Sequence, residues 1–308
     1  MSFKTLIQLL DYFKDEETCR TYLEQQRWNG NVECPFCACT KVYRTNRGFK
    51  CADKFCAKKF SVTVGTVYEN SKIPLRTWFG AMYLVTAHKK GISSCQLAKD
   101  LGITQKTAWF VLHRIREMLT TKAPEKLNNM VEVDETYVGG KYKNMHKSKR
   151  VKAHADNISH TTNKTTVVGL LERNNKVRTT ILKKGEITLK DMVRQHVNLE
   201  ATVVTDSFIA YKGLNKEYAA HEVVNHILDE YVRGEWHTNT IEGFWSILKR
   251  GIYGIYHQVS PKHLQRYCDE FSYRYNSRTI KDNERFELTV KSCEGRLKYN
   301  DLIEKDSK

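Results

Sequence analysis

Acidic residues are the scarce class in this sequence. Against 51 Lys and Arg stand 35 Asp and Glu, leaving a net charge of +16 over 308 residues. A surface so short of carboxylates points to a polyanionic partner, most often nucleic acid, although membrane-surface and ribosome-associated proteins share this footprint. Long apolar runs are missing as well. No stretch approaches the roughly 18 apolar residues that a bilayer-spanning helix needs, and the N-terminus lacks the layout of a cleavable signal. These absences lead us to expect no membrane partner and a soluble cytoplasmic protein, in which the nine cysteines are not disulfides. The length suffices for two or more domains with their own cores.

What is present begins with two close cysteine pairs. Cys34-Pro-Phe-Cys37 and Cys51-Ala-Asp-Lys-Phe-Cys56 are separated by thirteen residues. Each pair fits a knuckle, and four thiolates close a structural, tetrahedral Zn2+ site. Strand-like runs at 41–44, 48–50 and 59–64 complete a zinc ribbon, where the metal replaces a core that so short a stretch cannot build. Cys39 lies two residues beyond Cys37 and competes as a ligand on sequence alone. Cys19, Cys95, Cys268 and Cys293 are isolated and read as buried thiols. Ahead of the ribbon, an amphipathic pattern over residues 3–30 predicts a helical packing element.

From 74 to 120 the apolar period is helical. Leu75, Phe79, Met82, Tyr83 and Val85 mark one helix, 93–101 a second, Gly102-Ile103 a turn, and 104–119 a third. Two helices around a glycine turn predict a helix-turn-helix. On the third helix Ala108, Val111, Leu112, Ile115 and Leu119 are expected to face inward. Gln105, Lys106, Trp109, His113, Arg114 and Arg116 are then left outward, a polar and cationic face suited to a major groove. The same pattern also fits a plain three-helix bundle.

Beyond Pro124 the period changes to that of strands, at 130–134, 165–171 and 177–182. A helix over 188–198, strands at 201–206 and 221–225, and further helices give an α/β order with a mixed sheet. Between the first two strands, 139–164 is a strongly basic insert, read equally as a solvated loop or a grip on phosphates. Asp134 ends the first strand and Asp206 the fourth. If those strands are neighbours, both carboxylates emerge side by side. Glu242 and Lys249 lie seven residues apart on a predicted helix, with Ile241, Phe244, Trp245 and Leu248 forming its apolar face. Carboxylates are the ligands that Mg2+ (or Mn2+) prefers, and two such ions promote in-line displacement at a phosphodiester. Asn239 and Glu242 also fit the N-cap and third residue of a capping box.

Together, Cys34-Pro-Phe-Cys37, Phe60-Ser-Val-Thr-Val-Gly-Thr66, Val133-Asp-Glu-Thr-Tyr-Val-Gly-Gly140, Thr205-Asp206 and His237-Thr-Asn-Thr-Ile-Glu-Gly-Phe-Trp245 with Leu248-Lys-Arg-Gly251 carry a resemblance. The chain resembles insertion-sequence transposases of the DDE superfamily related to Merlin elements. The resemblance implies a ribonuclease-H-like catalytic core, with Asp134, Asp206 and Glu242 as the Mg2+ triad and Lys249 and Arg250 on DNA. It leaves Asn239 as a rival third ligand, against which charge favours Glu242. It further implies cleavage at the element's ends, transfer of the 3′-hydroxyls to target DNA, double-stranded DNA as partner, and a homodimer or higher oligomer on DNA in a bacterial, nucleoid-associated setting. A DNA-binding regulator with an inactive nuclease-like domain is the alternative. The expected organisation is multidomain: a helical segment (1–30), zinc ribbon (31–70), all-α helix-turn-helix (71–122), an α/β catalytic domain with a five-stranded mixed sheet (123–280), and a charged, irregular tail (281–308). In the catalytic domain a helix around 264–275 is expected to close the fold, with Arg274 and Arg278 in reach of phosphates.

Overall fold

Short polar caps and apolar repeats build the first part of the chain. The structure is a computed structural model that describes residues 3–121, 124–140, 144–148, 151, 164–182, 185, 187–225 and 232–304. It divides into two compact units, Met1–Leu119 with Thr279–Lys308, and Thr120–Arg278. In the first unit α1 (Leu6–Tyr12) and α2 (Glu16–Trp28) open at Thr5 and Asp15, whose side-chain oxygens accept N–H bonds from Gln8 and Thr18. The ribbon strands β1 (Val42–Thr45), β2 (Gly48–Cys51) and β3 (Lys59–Phe60) pair antiparallel in that order. Three helices follow, α3 (Leu75–Ala87), α4 (Ser94–Leu101) and α5 (Gln105–Leu119). Gly102 ends α4 at φ 64°, the left-handed conformation that glycine adopts without strain.

The second unit is built on β-branched strands, whose side chains pack well on a pleated surface. Its strands are β4 (Met130–Val138), β5 (Thr165–Glu172), β6 (Val177–Leu182), β7 (Thr202–Asp206) and β8 (Ala220–Val224), with α6 (Leu189–His196) before β7. They form one mixed sheet in the order β6-β5-β4-β7-β8, with β4 antiparallel to β5 and parallel to β7. A helix expected between β7 and β8 is instead two short 3₁₀ turns, broken by Gly213 at φ 99°. After β8 come α7 (Asn239–Gly251), a π-helical turn at Ile252–Tyr256, and α8 (Pro261–Asn276). Alternation along β4 separates two cores. Val131 and Val133 pack with Val193, Val203 and Tyr211 on one face, while Val138 packs with Ile241, Trp245, Leu248 and Phe271 on the other. The expected basic insert falls largely outside the described residues.

The stretch expected to be an irregular tail is helical, and this corrects the sequence reading. It forms α9 (Asp282–Lys291) and α10 (Tyr299–Ile303) within the first unit. Phe286 is fully buried, with ring centroids 5.3 Å from Phe3, 5.6 Å from Phe79 and 6.0 Å from Phe13. A single apolar stripe of Phe286, Val290, Cys293, Leu297 and Leu302 is hidden among charges in the sequence, yet it is enough to dock the segment.

Gly169 on β5 faces Asp134 across the ladder, and α7 lies close over it. A Cβ there would stand 2.5 Å from the Trp245 ring and 2.9 Å from Ile241. Gly243, on the same helix, has open space around it. Gly169→Ala should therefore destabilise the second unit by about 1–3 kcal/mol through overpacking, whereas Gly243→Ala should be neutral or stabilising by up to about 1 kcal/mol. Urea unfolding of the two variants checks this. Equal effects would show that α7 does not rest on Gly169.

Candidate functional site

Asp206 is the last residue of β7, but Asp134, expected to end its strand, lies in the middle of β4, which runs on to Val138 because Thr136 and Val138 continue the buried alternation. The parallel pairing of β4 with β7 runs to Glu132 and Val204, two residues short of Asp134 and Asp206, and Asp206 lies near enough to repel the Asp134 carboxylate. On the Asp134 side a cleft of about 350 Å³ is lined by Asp134, Glu135, Thr136, Glu242, Trp245, Ser246 and Lys249. Residues 242, 245, 246 and 249 recur at helical spacing, so α7 presents one face to the middle of β4. Asp206 lines a separate recess of about 490 Å³ with Phe208, Lys212 and His221, and its Oδ1 accepts the N–H of Phe208 at 3.0 Å. Asn239, the rival third ligand, is exposed and does not line the cleft, and Arg250 is exposed with its Nε turned to the carbonyl of Ser246. A larger cavity of about 610 Å³ between α2 and the ribbon collects Glu16, Glu24, Arg20 and Arg44, whose charges offset one another, and it gathers no comparable set.

Burial tunes the central carboxyl. Asp134 is raised from the usual carboxylate range to about 6, chiefly by desolvation, with Glu135 and Asp206 adding repulsion and the Trp245 indole N–H opposing it. That indole donates to Asp134 Oδ2 at 2.9 Å. On the other face of β4, Glu135 accepts from the Tyr211 hydroxyl at 2.7 Å, and burial together with Asp206 raises its pKa too. Neither Trp245, Glu135 nor Glu132 was assigned to the site from sequence. The available signal was the alternation Glu132, Asp134, Thr136, which places polar groups on a face otherwise used for packing.

The capping-box reading of α7 fails. Its N-cap is Thr238, without a side-chain cap bond, and Glu242, the fourth residue of the helix and not the third, accepts from Thr238 Oγ1 at 3.2 Å. The first-turn N–H of Ile241 is satisfied from outside the helix, by Glu132 Oε2 at 3.0 Å. Glu242 is thereby left exposed on the cleft side. Two late residues also depart from expectation. Arg274 is buried and paired with Glu270 at 2.5 Å, while Arg278 lies over the Tyr275 ring at 4.1 Å and donates to the carbonyl of Asn175.

In the first unit the four expected thiols converge. The Sγ atoms of Cys34, Cys37, Cys51 and Cys56 lie within 4.8 Å of one another, a donor set that fits tetrahedral zinc. Cys39 is not in the group, and its thiol turns to the carbonyl of Lys41 at 3.5 Å. Cys95 is exposed, contrary to expectation, whereas Cys19, Cys268 and Cys293 are buried. The outer face assigned to α5 also needs correction. Gln105 and Lys106 are exposed and Trp109 is half-buried, but His113, Arg114 and Arg116 are buried. Arg114 donates to the carbonyls of Val67 at 2.7 Å, Leu297 at 3.1 Å and Glu69 at 3.3 Å, so it is a structural strut. The cause is the C-terminal segment, which packs on the side of α5 that the sequence leaves open.

The raised pKa of Asp134 has a definite sign. The unfolded carboxyl loses its proton near 3.8 and the folded one near 6, so this group favours the folded state below about pH 4. That contribution is lost as pH rises to about 6. In metal-free buffer, Asp134→Asn should match the parent below pH 4 and exceed it at pH 7 by at most about 3 kcal/mol. Parallel stability-versus-pH curves would contradict the assigned environment.

Comparison with known proteins agrees with this layout. The profile of the ISXO2-like transposase domain matches residues 126–276, and that of the transposase zinc-ribbon domain matches residues 14–59. A protein of the transposable element ISH50 from Halobacterium salinarum is 30% identical over 274 residues, 85% of this chain and 91% of that one. A transposase-like protein from Haemophilus influenzae is 28% identical over 94 residues, 30% of this chain and 75% of its own length. Among the described residues no helix is long and apolar enough to cross a membrane. With its zinc ribbon, its five-stranded mixed sheet and a relative matched over nearly its whole length, the chain belongs to the insertion-sequence transposases that carry an ISXO2-like transposase domain.

Proposed function

We propose that this protein binds the ends of an insertion sequence, cleaves phosphodiester bonds there and joins the freed 3′-hydroxyls to target DNA. One observation carries the reading: Asp134 and Asp206 each stand two residues beyond the Glu132–Val204 pair of the parallel β4–β7 ladder, and Glu242 and Lys249 line the cleft beside Asp134. Burial, with the repulsion of Glu135 and Asp206 added, raises Asp134 to about 6, and a divalent cation would relieve both, so the chemistry of these oxygen donors fits Mg2+ or Mn2+. When bound, such ions supply Lewis-acid polarisation of the scissile phosphate and charge neutralisation at the leaving oxygen.

In this reading Asp134, Asp206 and Glu242 hold the ions. Lys249, two turns along α7 from Glu242, holds the phosphate of the bound strand, and Arg250 contacts the backbone next to it. Trp245 fixes one oxygen of Asp134 and so orients the carboxylate. The strand order β6-β5-β4-β7-β8 with helices on both faces supports a ribonuclease-H-like core. Helices α4 and α5 with the Gly102 turn act as the helix-turn-helix, reading DNA from Gln105, Lys106 and Trp109 at the start of α5. Joining two ends to one target calls for two such sites, hence a homodimer or larger assembly on DNA.

The test is cleavage and strand transfer with the element's own ends. Glu242→Gln should cut the cleavage rate by on the order of 10³-fold, with end binding and thermal stability unchanged, since Glu242 closes no cap. Asn239→Ser should stay within a few-fold of the parent. The reverse pattern would make Asn239 the third ligand. End binding by the parent without any metal-dependent cleavage would favour a regulator with an inactive nuclease-like domain.

A further inference from the structure

A carboxylate with no exposed surface needs partners, because an unpaired buried ion costs several kcal/mol. Glu132 is 0% exposed, and its partners belong to the approach to α7. Its Oε1 accepts from Thr240 Oγ1 at 2.8 Å and from Arg173 Nε at 3.0 Å, and its Oε2 accepts from the Ile241 N–H at 3.0 Å. His237 Nδ1 is 3.5 Å from Oε1. Arg173 in turn donates to the carbonyls of Glu235 at 2.7 Å and His237 at 3.1 Å. One ion pair thus ties β4 to both the loop entering α7 and its first turn.

The tie matters because α7 has no side-chain cap of its own. The first-turn N–H groups of a helix have no intrahelical acceptor and carry partial positive charge, so a buried carboxylate there fixes the helix end in place. A second tie stands one turn on, from the Trp245 indole to Asp134 on the same face of the same strand. Two attachments to β4, at residues 132 and 134, prevent α7 from turning or sliding against that strand. The residues between and beyond them on the cleft side are Glu242, Ser246 and Lys249.

We propose that Glu132, with Arg173 as its counter-ion, is a positioning residue of the reaction, setting where Glu242 and Lys249 stand relative to Asp134. This rests on the catalytic reading given above. Glu132 is not itself an ion ligand, because both its oxygens are taken by protein donors and its charge is met by Arg173. Misplacement by about 1 Å suffices to cost on the order of 100-fold in rate, so a strut of this kind has leverage without touching substrate.

The experiment uses the full-length zinc-loaded protein and element-end DNA, with Glu132→Gln, Glu132→Asp and Thr240→Val. Val133→Ala, in the opposite core, serves as the stability control. Three quantities are read: kcat, KM for DNA, and Mn2+ affinity from free Mn2+ counted by electron paramagnetic resonance. Glu132→Gln and Glu132→Asp should each lower kcat and Mn2+ affinity by about 10- to 100-fold, the range found for residues that orient ligands, with KM within about twofold. Thr240→Val, which keeps the ion pair and loses one donor, should show the same pattern at a few-fold. Unchanged kcat and Mn2+ affinity in a folded Glu132 variant would overturn the proposal. So would equal losses in Val133→Ala, because the effect would then be stability alone. If the Glu132 variants do not fold, Thr240→Val decides by the same readouts, and no loss there overturns the proposal. If the parent itself fails to cleave, the catalytic reading falls, while the Mn2+ affinities still decide whether Glu132 sets the cleft.

Discussion

Parallel pairing of β4 with β7 is the constraint on which the second unit depends. Parallel strands need a crossover, and here that path runs through β5, β6 and α6 before returning beside β4. The return fixes the register in which Asp134 and Asp206 both stand two residues beyond the Glu132–Val204 pair. Side-chain alternation then does the rest, since a slip of one residue would turn Asp134 into the core packed around Val131 and Val133. The same alternation puts Glu132 and Asp134 on one face, under α7.

Crowding acids on one sheet has a cost and a use. Burial and neighbouring charge hold the Asp134 proton up to about pH 6, so the fold opposes ionisation of that carboxyl. In the catalytic reading that opposition is the driving force for cation binding. Placement of α7 is the complementary requirement, because an acid and a lysine two turns apart serve one phosphate only if the helix stays fixed. Glycine at 169 lets the Trp245 ring approach the sheet, and buried Glu132 holds the helix start. The zinc ribbon solves a different problem in the first unit, where four convergent thiols stand in for a core too small to hold by itself.

Much of this was legible from residue order alone. The cysteine spacing identified the four thiols because knuckle geometry is local, and the β-branched runs identified all five strands because their period is short. Asp134, Glu242 and Lys249, proposed from residue order, line one cleft and Asp206 lines another, although Asp134 lies within its strand and not at its end. What escaped were features fixed by distant chain. Arg114 looks like a groove-facing cation until residues near 297 return to take its hydrogen bonds. Phe286 is one apolar residue among charges until Phe3, Phe13 and Phe79 surround it. Asn239 and Glu242 spell a capping box, yet the acceptor at that helix start is Glu132, more than a hundred residues away.

Asp134 within β4 and Asp206 at the end of β7, with Glu242, make up the proposed divalent-cation site. The most direct measurement is anomalous diffraction at the manganese edge from crystals of the zinc-loaded protein soaked in Mn2+, with and without DNA ends. The account predicts an anomalous peak bounded by Asp134 and Asp206, with Glu242 completing the ligand set in at least the DNA-bound form. Asp134 or Asp206 neutralised by Lys249 or another protein cation, with no manganese between them in either form, would contradict it.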